Sequence, residues 1–263
     1  MSTPCKICGD LTVAFGEALI LAKHRVRYNR CAKCGFVQTE EPYWLAEAYH
    51  EALSGLDVGA VSRNLRLAPV AQRLIRHWFE PSGRFIDYGG GTGLFVRLMR
   101  DAGFNFYWLD KFATNIFAKG FEAVPGEFEL LTAFEVFEHL TQPVVELEQM
   151  LAYSRNVLFT TVLLPTDAPP PGQWWYYGLE HGQHVSFYTP QSLRFVANRF
   201  GLRLCSSGEL HLLTEKPIAA AQFRFTVRRR LARWMDALAP RRSLTESDYR
   251  LLSNQRCQTP PAQ

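Results

Sequence analysis

The segment Arg84-Phe-Ile-Asp87-Tyr-Gly89-Gly-Gly91-Thr-Gly93 constrains this chain more than any other. A short apolar run enters a glycine turn, and an amphipathic helix begins at Leu94-Phe-Val-Arg-Leu-Met. Glycines let the backbone turn sharply and approach a ligand, while the helix that follows aims its positive end at the same place. Units of this kind build parallel α/β sheets that hold ligands at their carboxyl edge. A dinucleotide fingerprint would need a glycine or alanine at position 94, where Leu94 stands. The next apolar run, Phe104-Asn-Phe-Tyr-Trp-Leu-Asp110, ends in an acid 23 residues after Asp87. A carboxylate there can accept both ribose hydroxyl protons; its plainer role is a helix N-cap.

The pattern Asp-x-Gly-x-Gly-x-Gly followed by Asp110 resembles motif I of class I S-adenosylmethionine-dependent methyltransferases. The likeness runs over about residues 60 to 215. Phe128 to Leu140 looks like the fourth strand and the motif after it, Asn156 to Leu164 like the fifth strand, and Leu202 to Thr214 like the closing antiparallel pair. The resemblance implies an α/β, Rossmann-like, seven-stranded and mostly parallel methyltransferase sheet flanked by helices. It also implies S-adenosylmethionine as cofactor, held by Asp87, Gly89, Gly91, Gly93, Asp110 and Glu135. Only 17 residues separate Asp110 from Phe128, so the third strand and its preceding helix are expected to be short or partly lost.

Two knuckles, Cys5-Lys-Ile-Cys8-Gly and Cys31-Ala-Lys-Cys34-Gly, lie 22 residues apart. This is close to zinc-ribbon spacing. Four thiolates can enclose one Zn²⁺ tetrahedrally, with Gly9 and Gly35 supplying the tight turns. Leu11–Phe15 and His24–Tyr28 alternate apolar and polar residues as hairpin strands do. About 40 residues enclose too little core to fold unaided, so the metal is read as structural.

After the fifth strand the chain runs Pro165 to Tyr188 without periodicity, as a lid or binding loop does. Trp174-Trp175-Tyr176-Tyr177 could wall a pocket or form ordinary core. Glu180-His181 and His184 follow; a histidine is the natural proton acceptor near neutral pH, and a carboxylate beside it raises its basicity. The Glu-His pair resembles that of nucleotide-sugar C-methyltransferases, which also begin with a zinc-binding segment. On that reading His181 oriented by Glu180 is the general base, Tyr176, Tyr177 and His184 position the acceptor, and the acceptor is a sugar or nucleotide-sugar. A second reading uses Glu135-x-x-Glu138-His139, two carboxylates and an imidazole within five residues, with His181 or His184 added by the loop. Such a set could hold Mg²⁺, and it resembles plant small-RNA 2′-O-methyltransferases and quinone-biosynthesis O-methyltransferases. The alternative is that Glu135 and His139 line the pocket without metal.

The 263 residues divide, on this reading, into a ribbon (1–40), a helical bridge (41–80), the methyltransferase core (81–217) and a basic helix with tail (218–263). In the bridge, Val61, Leu65, Leu67, Leu74 and Ile75 fit an apolar stripe interrupted at Pro69. Phe223 to Leu238 reads as an amphipathic basic helix, and the chain past Pro240 is expected to fray or pack lightly. A net charge of +4 is mild for a nucleic-acid binder, and the one marked cluster, Arg224 with Arg228-Arg229-Arg230 and Arg233, reads as a solvated helix face. No signal peptide or membrane span is visible, which points to the cytoplasm and a small-molecule acceptor. A macromolecular acceptor docked by the ribbon and the arginines, or a binding module without catalysis, are the competing readings. The intact glycine turn and Asp110 argue against the last.

Overall fold

The computed structural model describes residues 3–50, 57–228 and 241–258. It opens on a hairpin of β1 (Thr12–Ile20) and β2 (His24–Cys31), paired from Thr12↔Cys31 to Ile20↔His24. The alternating residues produce it: Val26 and Tyr28 turn inward, while Arg25 and Arg27 stay in water. β3 (Val37–Thr39) adds to β2, and α1 (Leu45–Ala48) and α2 (Ala60–Trp78) follow. α2 continues through Pro69 and buries Leu67, Ala68, Ala71, Leu74 and Ile75. Val61 and Leu65, expected in the same stripe, are exposed; Val61 lines a central chamber instead of packing on the sheet.

The main sheet is built from β4 (Arg84–Tyr88), β5 (Asn105–Leu109), β6 (Leu130–Ala133) and β7 (Val157–Thr160). These four run parallel, with α3 (Leu94–Asp101) and α4 (Pro143–Leu151) in the connections. β8 (Ser186–Phe187) and α5 (Pro190–Arg199) precede the antiparallel pair β9 (Arg203–Ser207) and β10 (Leu210–Thr214). The strand order is β5-β4-β6-β7-β10-β9. Six strands therefore stand where seven are expected. The third is reduced to one parallel bridge, Trp108↔Glu122, because the short connection is spent on an Asn115-capped turn and on Pro125-Gly126. The sheet is covered on both sides, with Ile86, Leu131, Val157 and Leu213 buried in one cluster and Phe85, Leu130, Leu158 and Leu212 in the other. Successive strand residues point to opposite faces, so each strand feeds both clusters.

α6 (Ala220–Val227) packs Phe223 against the sheet; residues 229–238 of the expected basic helix lie outside the described residues. Of the two outcomes expected past residue 240, the described residues show packing. α7 (Thr245–Gln258) docks on α3 through buried Asp248, which accepts from Arg100 Nη2 at 2.7 Å and from Arg97 Nη2 at 2.9 Å. A carboxylate taken out of water needs such paired donors. The second sheet has the order β1-β2-β3-β8, so a strand from the loop beyond β7 completes the ribbon. Among the described residues no helix is long and apolar enough to cross a membrane.

Candidate active site

A chamber of about 990 Å³ opens at the carboxyl edge of the parallel strands. Its floor is the glycine turn. Gly89, Gly91 and Gly93 all have positive φ, at 70°, 54° and 83°. A side chain at Gly89 would run into Val136, and one at Gly93 into Asn115 and Ala118, so these positions hold glycine for space as well as for backbone angle. Asp87 is buried behind the turn and accepts from Thr132 Oγ1 at 2.6 Å; burial pushes its pKa up to about 7, against that hydrogen bond. Asp110 accepts from the Gly91 amide at 2.9 Å with one oxygen, and from Phe112 and Ala113 amides with the other. The N-cap-like role and a place in the chamber wall are thus combined in one carboxylate, and the three amides leave about one of its four lone-pair sites unused. Glu135 sits at φ 55° with Oε1 accepting from Thr160 Oγ1 at 2.7 Å. All six residues assigned to the cofactor from sequence belong to this region; Asp87, Gly89, Gly91, Asp110 and Glu135 line the chamber and Gly93 caps α3.

On the opposite side His139 and His184 line the chamber with Glu138 fully buried beside them, and ligand atoms of the three lie within 4.8 Å of one another. Glu138 and His139 come from a 3-10 turn after β6, and His184 from the loop leading to β8. Glu138 is buried and neither of its oxygens has a hydrogen-bond partner, although the Tyr176 and Thr161 hydroxyls approach. Burial and then the Glu135 charge push its pKa up. His184 donates from Nδ1 to the Tyr176 carbonyl at 2.6 Å, which leaves its Nε2 lone pair free. Its pKa falls to about 3 through burial. Burial also holds His139 well below the ordinary histidine range, with His184 and His181 adding to the effect, and its Nδ1 shares a 2.9 Å hydrogen bond with the Tyr49 hydroxyl. Two neutral imidazoles and an unpartnered carboxylate form a donor set that suits a divalent cation.

The proposed base pair is arranged differently. Glu180 is exposed and makes no hydrogen bond to His181 among the described residues. His181 accepts from the Gln183 amide at Nδ1 (3.1 Å), so the neutral ring carries its proton on Nε2, which lies against Gly178. Neither nitrogen offers a lone pair to the chamber. The adjacent tyrosines part company as well. Tyr176 lines the chamber, with its hydroxyl accepting from the Val162 amide at 3.0 Å. Tyr177 turns into the ribbon, donating to the Pro169 carbonyl at 2.8 Å and meeting Tyr28 edge-on. Trp175 is 75% exposed at the chamber mouth, while Trp174 packs on Tyr177 and Phe187.

Two chamber residues escaped the sequence reading. Tyr49 stacks on Phe112 as well as meeting His139. Arg63 is paired with Asp57 at 2.7 Å and reaches Glu135 at 4.0 Å. A cation in the first turn of a helix, where the macrodipole disfavours it, is a signal that could have marked Arg63. The cysteines assigned to metal do converge: Cys5–Cys34 and Cys8–Cys31 sulfurs are 3.6 and 3.5 Å apart. A zinc tetrahedron with Zn–S bonds of about 2.3 Å has edges near 3.8 Å, so the cluster has the size zinc requires.

A family model described as a methyltransferase domain matches residues 62–207, more than half of the chain. Comparison with curated proteins finds no match. Similar solved structures include human N-acetylserotonin methyltransferase in complex with SAM, at 17% identity and TM-score 0.45, covering 66% of this chain and 59% of that one. This chain thus spans less than two thirds of the human enzyme's length. A plantazolicin methyltransferase with a desmethyl analogue and SAH is 12% identical over 75% of this chain and 88% of the other, with TM-score 0.46. Magnesium protoporphyrin IX methyltransferase from Synechocystis is 13% identical over 65% and 94%, with TM-score 0.42.

Proposed function

The chain belongs to the methyltransferase domain family, and from that premise we propose that it methylates a hydroxyl of a small, uncharged acceptor held beside a divalent cation. The donor is S-adenosylmethionine, which supplies an electrophilic methyl group on a sulfonium centre. The glycine turn leaves room for it, Asp110 keeps about one lone-pair site for a ribose hydroxyl, and the Phe112 and Phe117 rings at the chamber wall offer faces to a purine.

The observation that carries the metal reading is Glu138, a buried carboxylate without a hydrogen-bond partner, gathered with two imidazoles. Burial drives this unpartnered carboxyl toward its neutral form, and a bound cation would favour the carboxylate over the proton and supply the missing partner. Glu138, His139 and His184 would hold it, a nitrogen-rich set that fits Mn²⁺ or a similar transition-metal ion better than Mg²⁺; there it would lower the pKa of the acceptor hydroxyl. The chain's own groups do the rest. Tyr49 and the Tyr176 carbonyl orient the two imidazoles, and Trp175 and Tyr176 cover the acceptor from water.

Charge narrows the acceptor. The described cations lining the chamber are Arg63, paired with Asp57, and Lys111, paired with Glu146 at 2.9 Å. Asp57, Asp87, Asp110, Glu135 and Glu146 also line it. Apart from the proposed metal, a diphosphate entering this field would meet several carboxylates and only side-chain cations that are already paired, which favours a phenol or a free sugar over a nucleotide-sugar, and a small acceptor over a polynucleotide. We also assign one structural Zn²⁺ to Cys5, Cys8, Cys31 and Cys34. The deciding experiment screens labelled methyl donor against phenols, free sugars, nucleotide-sugars and RNA, with and without Mg²⁺ or Mn²⁺. Full turnover in Glu138→Gln without added metal would instead favour the unprotonated Nε2 of His184 as the base.

A further inference from the structure

We infer that the cysteine ribbon is the positioning element of the acceptor half of the site, with Trp44 as the residue that sets the histidine loop in place. The inference rests on the Glu138–His139–His184 reading for what is positioned, and on independent contacts for how. Val185, next to His184, joins two bodies through its backbone. Its carbonyl accepts from Thr39 of β3 at 3.1 Å, and its amide donates to the Glu138 carbonyl at 2.8 Å. The ribbon edge, the residue after His184 and the turn bearing Glu138 are therefore consecutive links in one hydrogen-bonded chain. β8 then continues the ribbon sheet, with Val37↔Phe187 and Gln38↔Ser186 in register.

Side chains strengthen the attachment on both flanks of the histidines. Trp44 is buried and donates from Nε1 to the Gly182 carbonyl at 2.8 Å. Gly182 has φ 67°, and a side chain there would strike Ile20, so the loop touches the hairpin end backbone-first. The Leu21 amide donates to the Leu179 carbonyl at 2.8 Å, and Gln183 Nε2 donates to the Ala48 carbonyl at 2.8 Å. A second route leaves from the cysteine knuckle. Thr189 Oγ1 donates to the Cys34 carbonyl at 2.6 Å, and Phe36 packs on Tyr188, which packs on Phe137, the neighbour of Glu138. Ile20, Val26, Tyr28, Val37 and Trp44 share one apolar cluster with Tyr176, Tyr177, Val185 and Phe187. Neither partner has that core alone, since about 40 residues of ribbon cannot enclose one.

The cofactor turn is held by other means, through Leu109, Asp110 and Trp108 of its own sheet. Loosening the ribbon should consequently release His184 and leave the cofactor half formed. The test is hydrogen–deuterium exchange on the full chain with the parent, Trp44→Phe, Trp44→Ala and Cys31→Ser, combined with calorimetry of Mn²⁺ and of S-adenosylmethionine. In Trp44→Ala and Cys31→Ser, amides 179–187 are expected to exchange at least about tenfold faster and Mn²⁺ to bind at least about tenfold more weakly. Amides 84–99 and cofactor affinity should stay within about twofold. Trp44→Phe, which keeps the ring packing and loses the hydrogen bond, should fall between them and the parent. Unchanged exchange of 179–187 in Trp44→Ala overturns the inference, and so does an equal rise in 84–99. A parent that protects the loop but binds no Mn²⁺ refutes the metal reading alone, because loop exchange still reports whether the ribbon holds it.

Discussion

The two walls of the chamber differ in how their polar groups are satisfied. On the cofactor side, Asp110 takes three backbone amides and Asp87 a threonine hydroxyl, all from within residues 87–132. On the proposed acceptor side, Glu138 has no hydrogen-bond partner and shares its space with the adjacent His139 and with His184, 46 residues further along the chain. One wall satisfies its carboxylates from its own strands and turns; the other leaves Glu138 without a partner, which is the basis of the metal reading proposed above. A buried unsatisfied carboxylate is tolerated where a ligand repays it.

The sharpest way to break this contrast is Glu138→Gln. The amide keeps shape and loses charge, so Mn²⁺ binding should disappear from calorimetry and methyl transfer should drop by about 10²–10⁴-fold, the several kcal/mol that a Lewis acid supplies. Retained Mn²⁺ binding would mean that the orphan carboxylate has another purpose. On the cofactor wall, Gly91→Val forces a β-branched residue into a φ of 54° beside the ligand space. It should weaken cofactor binding at least about 100-fold, measured by calorimetry, while circular dichroism shows the sheet intact.

A smaller effect concerns pH. Asp87 has its folded pKa raised to about 7 from the ordinary 3.8, so its contribution to stability is full below about pH 4 and is lost as pH rises through 7. Asp87→Asn removes that loss. The cofactor-free variant should gain on the order of 2–4 kcal/mol over the parent at pH 8 and little at pH 4, read from denaturant melts at both values. Equal gains at both would show that packing and not charge is responsible. Glu138, also raised by burial, keeps part of the slope in the variant. The mildest change should be His181→Asn. Because Nδ1 already accepts the Gln183 amide and Nε2 faces Gly178, turnover is expected to stay within about tenfold of the parent. A loss of 10²-fold or more would restore His181 as the base.

The cofactor wall was legible from sequence because its parts are neighbours in the chain. A glycine turn between a strand and a helix has one backbone solution, and Asp110 ends the very next strand. The paired cysteine knuckles were legible for the same reason, since spacing within each knuckle dictates its turn. The acceptor wall was visible only as an alphabet. Glu138, His139, His181 and His184 could all be named, but Tyr176 and Tyr177 leave the backbone on opposite sides of one turn, and only docking decides which faces the chamber. The missing third strand was foreshadowed by the short connection, whereas α7 gave no such sign: its pairing of Asp248 with Arg100 spans 148 residues.

What the sequence determined by itself is the set of local geometries: the turn that admits a cofactor, the knuckles that fit zinc, the parallel strands between helices. Their cause lies in backbone angles and in spacing over a few residues. The tertiary structure alone decided which titratable groups meet, which nitrogen of each histidine is free, and which carboxylate is left unpaired. Those outcomes follow from the pairing of β3 with β8 and from Trp44 on Gly182, contacts that reach across about 140 residues and that no local pattern encodes.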